Sequence, residues 1–219
     1  MTDTTSDTGP SIVTADVVVV GMGIAGACAA IEAAEAGASV IVLEGASGPG
    51  GSSAQSGGEV YLGGGTATQQ ALGISDTVED MRAFLTAALG PNADEAKIDA
   101  YCNGAVEHHD WLVAHGAVFN HKLWDTPTWM PGDDSGLMWM GERAEPYASV
   151  ARPAARGHRP PAPNFAGNVL MDALVATAEK AGVTLQCDIK VRSLIVEDGR
   201  VVGVHATEFG AERRYLATG

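Results

Sequence analysis

The stretch VVVVGMGIAGACAAIEAAEAGASVIVLEG, residues 17–45, constrains the fold more than any other part of the chain. Val17–Val20 is an unbroken β-branched run, as in a strand covered on both faces. The Ala- and Glu-rich residues 24–36 predict a helix, stopped by Gly37 at a C′ position. Residues 39–43 read as a second buried strand. Strand, helix and strand within about thirty residues make a βαβ unit, with parallel strands and a right-handed crossover.

GMGIAG places Gly21, Gly23 and Gly26 in GxGxxG spacing between the first strand and the helix. The first glycine permits the tight turn, the second lets backbone approach a diphosphate, and the third lets helix and strand pack closely. The helix N-terminus then presents amides and its dipole to the anion. Glu44 ends the second strand 18 residues after Gly26. A carboxylate there accepts hydrogen bonds from the hydroxyls of an adenine-linked ribose and repels a 2′-phosphate, which disfavours NADP. GGSSAQSGG, residues 50–58, lies just past the ribose position. Its small residues allow backbone to pass close to a flat ring, and its hydroxyls can bond phosphate or ring-edge atoms. That points to FAD over NAD, the competing reading being an ordinary flexible loop.

Composition removes several classes of function. With 13 basic and 27 acidic residues the net charge is −14, a surface that repels nucleic-acid backbones and anionic lipid heads. The three cysteines, Cys28, Cys102 and Cys187, form no CxxC, so neither a disulfide framework nor a metal site is expected. No apolar stretch is long enough for an integral membrane segment, and the first residues carry no Lys or Arg. The expectation is a cytoplasmic protein with residues 1–15 as a disordered tail.

Farther along, residues 45–66 are rich in Gly and Ser, but the embedded Val60, Tyr61 and Leu62 argue against a linker. Residues 76–88 and 94–115 predict helices, the second from Ile98, Tyr101, Cys102, Val106, His109, Leu112 and Val113 at spacings of three and four. Residues 120–163 hold three of the four Trp and a run of prolines, and are expected to be irregular and ordered by aromatic packing. Residues 169–180 predict a helix; 183–187, 190–196 and 200–205 predict strands, the last two joined by the Asp-Gly turn of EDGR. The fold class expected is α/β: a Rossmann-like FAD-binding domain with a parallel central sheet, a small β-hairpin element and an irregular helical insertion. Residues 16–66 form its first part, 67–163 the insertion and 164–219 its incomplete continuation.

Residues 16–44 together with GGSSAQSGGEVYLGGGT resemble the FAD-binding portion of the fumarate reductase and succinate dehydrogenase flavoprotein superfamily. Within it the chain is similar to FAD-dependent 3-ketosteroid dehydrogenases of the Δ4-(5α) type, through YCNGAVEHHDWLVAHGAVF, GLMWMGERAEPYASVARPAARGH and VRSLIVEDGRVVGV. The resemblance implies Gly21, Gly23, Ala25 and Gly26 at the diphosphate and Glu44 at the ribose. It implies Gly51, Ser52, Ser53, Ser56, Gly57 and Gly58 on the flavin side and the Val191 backbone at the adenine. Ser52 and Ser53 stand where covalent relatives carry a His, so the FAD is expected to be noncovalent. The implied activity introduces a C=C bond beside a ketone, with a steroid as the small-molecule substrate. The alternatives are a fumarate-reductase-like protein acting on a small unsaturated acid, or an FAD-binding subunit that needs a second chain or a missing C-terminal half. The closing ATG is expected to fall short of the family's second FAD-contacting motif, because the preceding ERRYL is not clearly apolar. Tyr61, Arg152, His158 and the trio His108, His109 and His115 are read as packing or surface residues, and no catalytic residue is assigned.

Overall fold

The computed structural model describes residues 11–219. The chain begins with β1 (Ser11–Ala15), β2 (Val17–Val20), α1 (Ile24–Glu35) and β3 (Val40–Leu43). It continues with α2 (Gly51–Ala54), β4 (Val60–Tyr61), α3 (Ala67–Ala71), α4 (Val78–Leu89) and α5 (Glu95–Ala114). Next come β5 (Leu123–Trp124), β6 (Leu137–Met138), α6 (Tyr147–Val150) and β7 (Gly157–His158). The last elements are α7 (Gly167–Lys180), β8 (Thr184–Gln186), β9 (Ile189–Glu197), β10 (Arg200–Glu208) and β11 (Ala211–Ala217).

Two compact units divide these elements: residues 11–52 with 174–219, and residues 53–173. The division falls inside α2 and α7, the first point earlier in the chain than the junction expected at 66 and the second later than that expected at 163.

The first unit holds two sheets. In one, β3 lies between β2 and β8 with all pairs parallel, as the βαβ reading requires. All four residues of β3 are buried, which is why its sequence, VIVL, shows no alternation. The other sheet runs β1-β11-β10-β9. Asp198 and Gly199, both at positive φ, close the β9–β10 hairpin at the expected turn. One core serves both sheets: Ala15, Ile41, Leu43, Ile189, Val204 and Tyr215 pack together. At about 25 cal/mol per Å² of apolar surface, such side chains are worth about 1.5–3 kcal/mol each when buried.

Two expectations are corrected here. Residues 11–15 are not tail but strand β1, paired parallel with β11 from Ser11↔Arg213 to Ala15↔Ala217; residues 1–10 lie outside the described residues. The partner is about two hundred positions away, so no local pattern could reveal it. ERRYL, in turn, is part of β11, and ATG follows directly. Its sheet buries one face, so only Tyr215 needs to point inward; its hydroxyl donates to Gln186 Oε1 at 2.6 Å. Beyond the strand, Thr218 N–H donates to the Ala15 carbonyl at 2.9 Å and Gly219 N–H to that of Asp16 at 3.2 Å. The last residues therefore lie against the β1–β2 junction.

The second unit packs α4 and α5 beside a small sheet ordered β4-β7-β6-β5. These strands are two residues long, too short for periodicity to show, which is why 120–163 read as irregular. α3 was not anticipated either. Its signal was present in Thr66-x-x-Gln69, a capping box in which each side chain bonds the other's backbone N–H. Among the described residues no helix is long and apolar enough to cross a membrane.

Candidate functional site

In the first unit the GMGIAG turn is fixed from three sides. Gly21 N–H donates to the Leu43 carbonyl at 2.8 Å, and Gly50 N–H donates to the Met22 carbonyl at 2.7 Å. Met22 N–H donates to Glu44 Oε2 at 2.8 Å. Glu44 Oε1 accepts from Ala46 N–H, also at 2.8 Å. The acid thus folds back on the glycine turn, and each of its oxygens keeps a further lone pair for another donor.

The glycines divide their work as the spacing predicts. Gly21 sits at φ +90°, a conformation other residues adopt rarely, with open space where a Cβ would be. A Cβ on Gly26 would overlap the Gly21 carbonyl oxygen, so this glycine is demanded by the approach of helix to strand. Gly23 is the N-cap of α1 at φ −82°, extended backbone that any residue adopts. It supplies no side-chain cap, and the first turn of α1 carries no acidic residue. A twelve-residue helix begins here without a carboxylate of its own, with Ala25 exposed in that first turn. Such a helix start suits an anion. The donor set, the bare cap and the folded-back acid fit the diphosphate and ribose of an adenine dinucleotide.

Val191 lies on the edge strand β9, half-buried against the core. Ile189 N–H donates to the Glu44 carbonyl at 2.9 Å, so β9 starts beside the acid. Gly51 and Ser52 are exposed at the start of α2.

In the second unit, Gly57 and Gly58 are buried against the start of α7. Ala166 N–H donates to the Gly57 carbonyl and Gly167 N–H to the Ser56 carbonyl, both at 3.1 Å. A Cβ on Gly58 would stand 2.7 Å from the Ala166 carbonyl carbon. Ser56 Oγ donates to the Ser53 carbonyl at 2.8 Å and accepts from Gly58 N–H at 3.2 Å. Its proton is already engaged in shaping the loop, a role the sequence reading did not assign. Ser53 is half-buried in α2.

A buried polar cluster next to β4 was missed by sequence reasoning. Arg156, fully buried, grips Asp76 in a two-point fork, Nε to Oδ2 at 2.9 Å and Nη2 to Oδ1 at 2.7 Å. Burial alone would raise the Asp76 carboxyl, but the Arg156 bonds outweigh it and hold the group below its ordinary value. The Tyr61 ring stacks on Phe84 at 5.7 Å, and its hydroxyl lies 3.4 Å from Arg156 Nη1. Burial, reinforced by the Glu142 carboxyl, pushes the phenol well above its usual range. Glu142 is 1% exposed; its Oε2 accepts from Met140 N–H at 2.6 Å, while Oε1 makes no hydrogen bond. Burial raises this carboxyl too.

His158 is also buried. Its Nδ1 lies 3.0 Å from the Arg156 carbonyl, so that nitrogen carries the proton, and Nε2 accepts from Thr66 Oγ1 at 2.8 Å. Burial pulls its pKa down to about 4, so the ring is neutral at pH 7. His109 packs edge-on against it at 5.2 Å and stacks on Phe119 at 5.5 Å. His115 stacks on Trp111 at 4.0 Å, and Arg152 pairs with Asp80 at 3.0 Å. These residues take part in packing and ion pairing.

The sequence model of the FAD binding domain matches residues 16–219. The 3-oxo-5-alpha-steroid 4-dehydrogenase of Comamonas testosteroni is 36% identical over 195 residues, which is 86% of this chain and 36% of that protein. The crystal structure of the 3-ketosteroid-delta4-(5alpha)-dehydrogenase of Rhodococcus jostii RHA1, in complex with 4-androstene-3,17-dione, matches with TM-score 0.91 and 49% identity. That match covers 98% of this chain and 46% of the other. The open conformation of a flavocytochrome c3 fumarate reductase matches with TM-score 0.72 and 26% identity, over 95% of this chain and 33% of the other. The chain therefore spans between a third and a half of the length of these proteins.

Proposed function

Because the chain belongs to the FAD binding domain family, we propose that it forms the FAD-binding portion of a flavin-dependent dehydrogenase that introduces a C=C bond beside the ketone of a 3-ketosteroid. The observation that carries this reading is Glu44 folded onto the Met22 N–H beside the uncapped start of α1. The steroid preference rests on the 49% identity to the Rhodococcus enzyme, against 26% to the fumarate reductase.

When bound, FAD supplies a hydride acceptor. The chain's own residues bind and orient. The backbone at Gly21, Gly23, Ala25 and Gly26 would take the diphosphate, with the α1 dipole favouring its charge. Glu44 would accept from the ribose hydroxyls with its remaining lone pairs, and the Val191 main chain would meet the adenine. Gly51 and Ser52 in the first unit, and Ser53, Ser56, Gly57 and Gly58 in the second, are the residues proposed for the flavin side. Ser52 and Ser53 offer no imidazole for a covalent link, so the cofactor is held noncovalently. The proton beside the ketone must leave to a base, and no residue of this chain is assigned that role. Three free cysteines accord with a reducing, cytoplasmic setting.

Two assays test the proposal. FAD titrated into the purified chain should bind one to one, and no uptake would overturn the cofactor assignment. The product of the whole coding frame should oxidise a 3-ketosteroid with an artificial electron acceptor. Turnover of fumarate with a reduced dye, and none of the steroid, would move the assignment to an unsaturated-acid reductase. Activity only after addition of a second chain would make this a subunit.

A further inference from the structure

Residues 56–58, a loop that the proposed function puts on the flavin side, are backed within the second unit by a buried ion pair that does not close. Arg159 is fully buried, and its Nε stands 3.9 Å from Glu59 Oε1. Both atoms are buried, and neither has a hydrogen-bond partner among the described residues. Burial disfavours the charge on this guanidinium, and Glu59 is the foremost group that supports it. A buried charged pair is stable only when its remaining donors and acceptors are satisfied. Here one donor and one acceptor face each other across a gap too wide for a direct hydrogen bond.

Neither side can close that gap without loss. The guanidinium is planar and its other two nitrogens are engaged: Nη1 lies 3.5 Å from the Asp133 carbonyl, and Nη2 donates to the Asn164 carbonyl. That fixes the direction of Nε–H. Glu59 lies over the Cα of Gly57, where a Cβ would stand 2.1 Å from Oε2 and 2.7 Å from Oε1. One water molecule spans the distance instead. An N–H···O contact of about 2.9 Å and an O–H···O contact of about 2.7 Å bridge 3.9 Å with an angle of about 90° at the water oxygen. Such a water accepts from Nε–H and donates to Oε1, the minimum of two polar partners that a buried water needs.

The pair reaches the loop from two directions. Asn164, whose carbonyl takes the Nη2 bond, sits at φ +61°. Just after it, Ala166 N–H donates to the Gly57 carbonyl and Gly167 N–H to the Ser56 carbonyl. From the other end Glu59 presses on Gly57.

We propose that Arg159 and Glu59 hold one buried water between Nε and Oε1, and that this bridged pair positions residues 56–58 for the flavin. The water site rests on the geometry alone; the positioning role rests on the cofactor reading given above.

A crystal structure of the product of the whole coding frame, at a resolution that shows ordered water, should place a water within hydrogen-bond distance of both atoms. A direct Nε–Oε1 bond, or no density between them, overturns the site. Glu59→Gln keeps an acceptor for the water, Glu59→Leu removes it, and Arg159→Lys removes the Nε–H while keeping the charge. In FAD titrations of the same product, the Leu and Lys variants should each bind about tenfold more weakly than the Gln variant. They should also change the visible circular dichroism of the bound flavin, which Glu59→Gln should not. Equal affinity and one flavin spectrum across the three variants overturn the positioning role, as does a Gln variant as impaired as the others. Should Glu59→Leu fail to fold, Arg159→Lys against Glu59→Gln makes the same comparison. If neither parent nor variants take up FAD, the cofactor reading falls and the positioning role with it, while the water site stands or falls on the crystal structure.

Discussion

Oε2 of Glu44 accepts a hydrogen bond from the backbone N–H of Met22 at 2.8 Å, joining the end of β3 to the middle of the glycine turn. One carboxylate thereby shapes the turn that would hold the diphosphate and stands where the ribose would arrive. On the proposed function, structure and binding would be coupled through this one side chain.

Glu44→Gln should separate the two roles. The amide keeps one acceptor oxygen but sets an NH₂ against a backbone N–H, so one of the two 2.8 Å bonds is lost. A hydrogen bond to a charged group contributes about 1.5–3 kcal/mol. Thermal unfolding should register a loss of about 2 kcal/mol, and FAD affinity should fall at least tenfold. Unchanged stability with lost affinity would mean that the acid serves the ligand alone.

Gly26→Ala should be severe. Its Cβ would overlap the Gly21 carbonyl oxygen, which is backbone and cannot step aside. Overpacking of this kind costs about 1–3 kcal/mol or more. Gly104→Ala, in α5 with nothing within 4 Å of the new Cβ, should instead stabilise by about 0.5–1 kcal/mol. Urea unfolding of the two variants beside the parent decides both signs.

Asp76→Asn should leave Arg156 buried without its counter-charge, at a cost of about 3–5 kcal/mol. The double variant Asp76→Leu with Arg156→Met should be less damaged than either single one. The native Asp76 carboxyl lies below its ordinary value. Its contribution is therefore complete above the unfolded value of about 3.9 and is lost as pH falls through the native one. The acid limb of the stability curve should be shallower in Asp76→Asn.

Glu142 runs the other way. Burial raises its carboxyl, so the folded state prefers the protonated form. That contribution is complete below the unfolded value of about 4.3 and is lost as pH rises through the native value. Glu142→Gln should match the parent in stability near pH 4 and exceed it increasingly as pH rises. Parallel curves for the two proteins between pH 4 and 8 would place the Glu142 proton elsewhere.

Where a residue's partner is close in sequence, or its conformation is demanded locally, the chain could be read directly. Val17–Val20, Gly21, Gly26, Glu44 and the Asp198-Gly199 turn all belong to this group: β-branching, φ freedom, spacing and turn chemistry act over a few residues. The helices at α4, α5 and α7 declared themselves by period and by caps. What stayed hidden depends on distance. Asp76 and Arg156 are 80 positions apart, and either alone looks like a surface charge. Ser56 carries a hydroxyl that suits a ligand, but only the folded loop reveals that Ser53 already takes its proton.

The sequence by itself thus determined the βαβ unit, its glycine turn and the acid at the end of β3, because each is set by short-range sterics and hydrogen bonding. Only the tertiary structure decided that residues 11–15 are a strand, that ERRYL precedes ATG as β11, and that Glu142 and Arg156 are buried. Those outcomes depend on which distant segments remove one another from water, and burial of that kind leaves no signature in any short window of the chain.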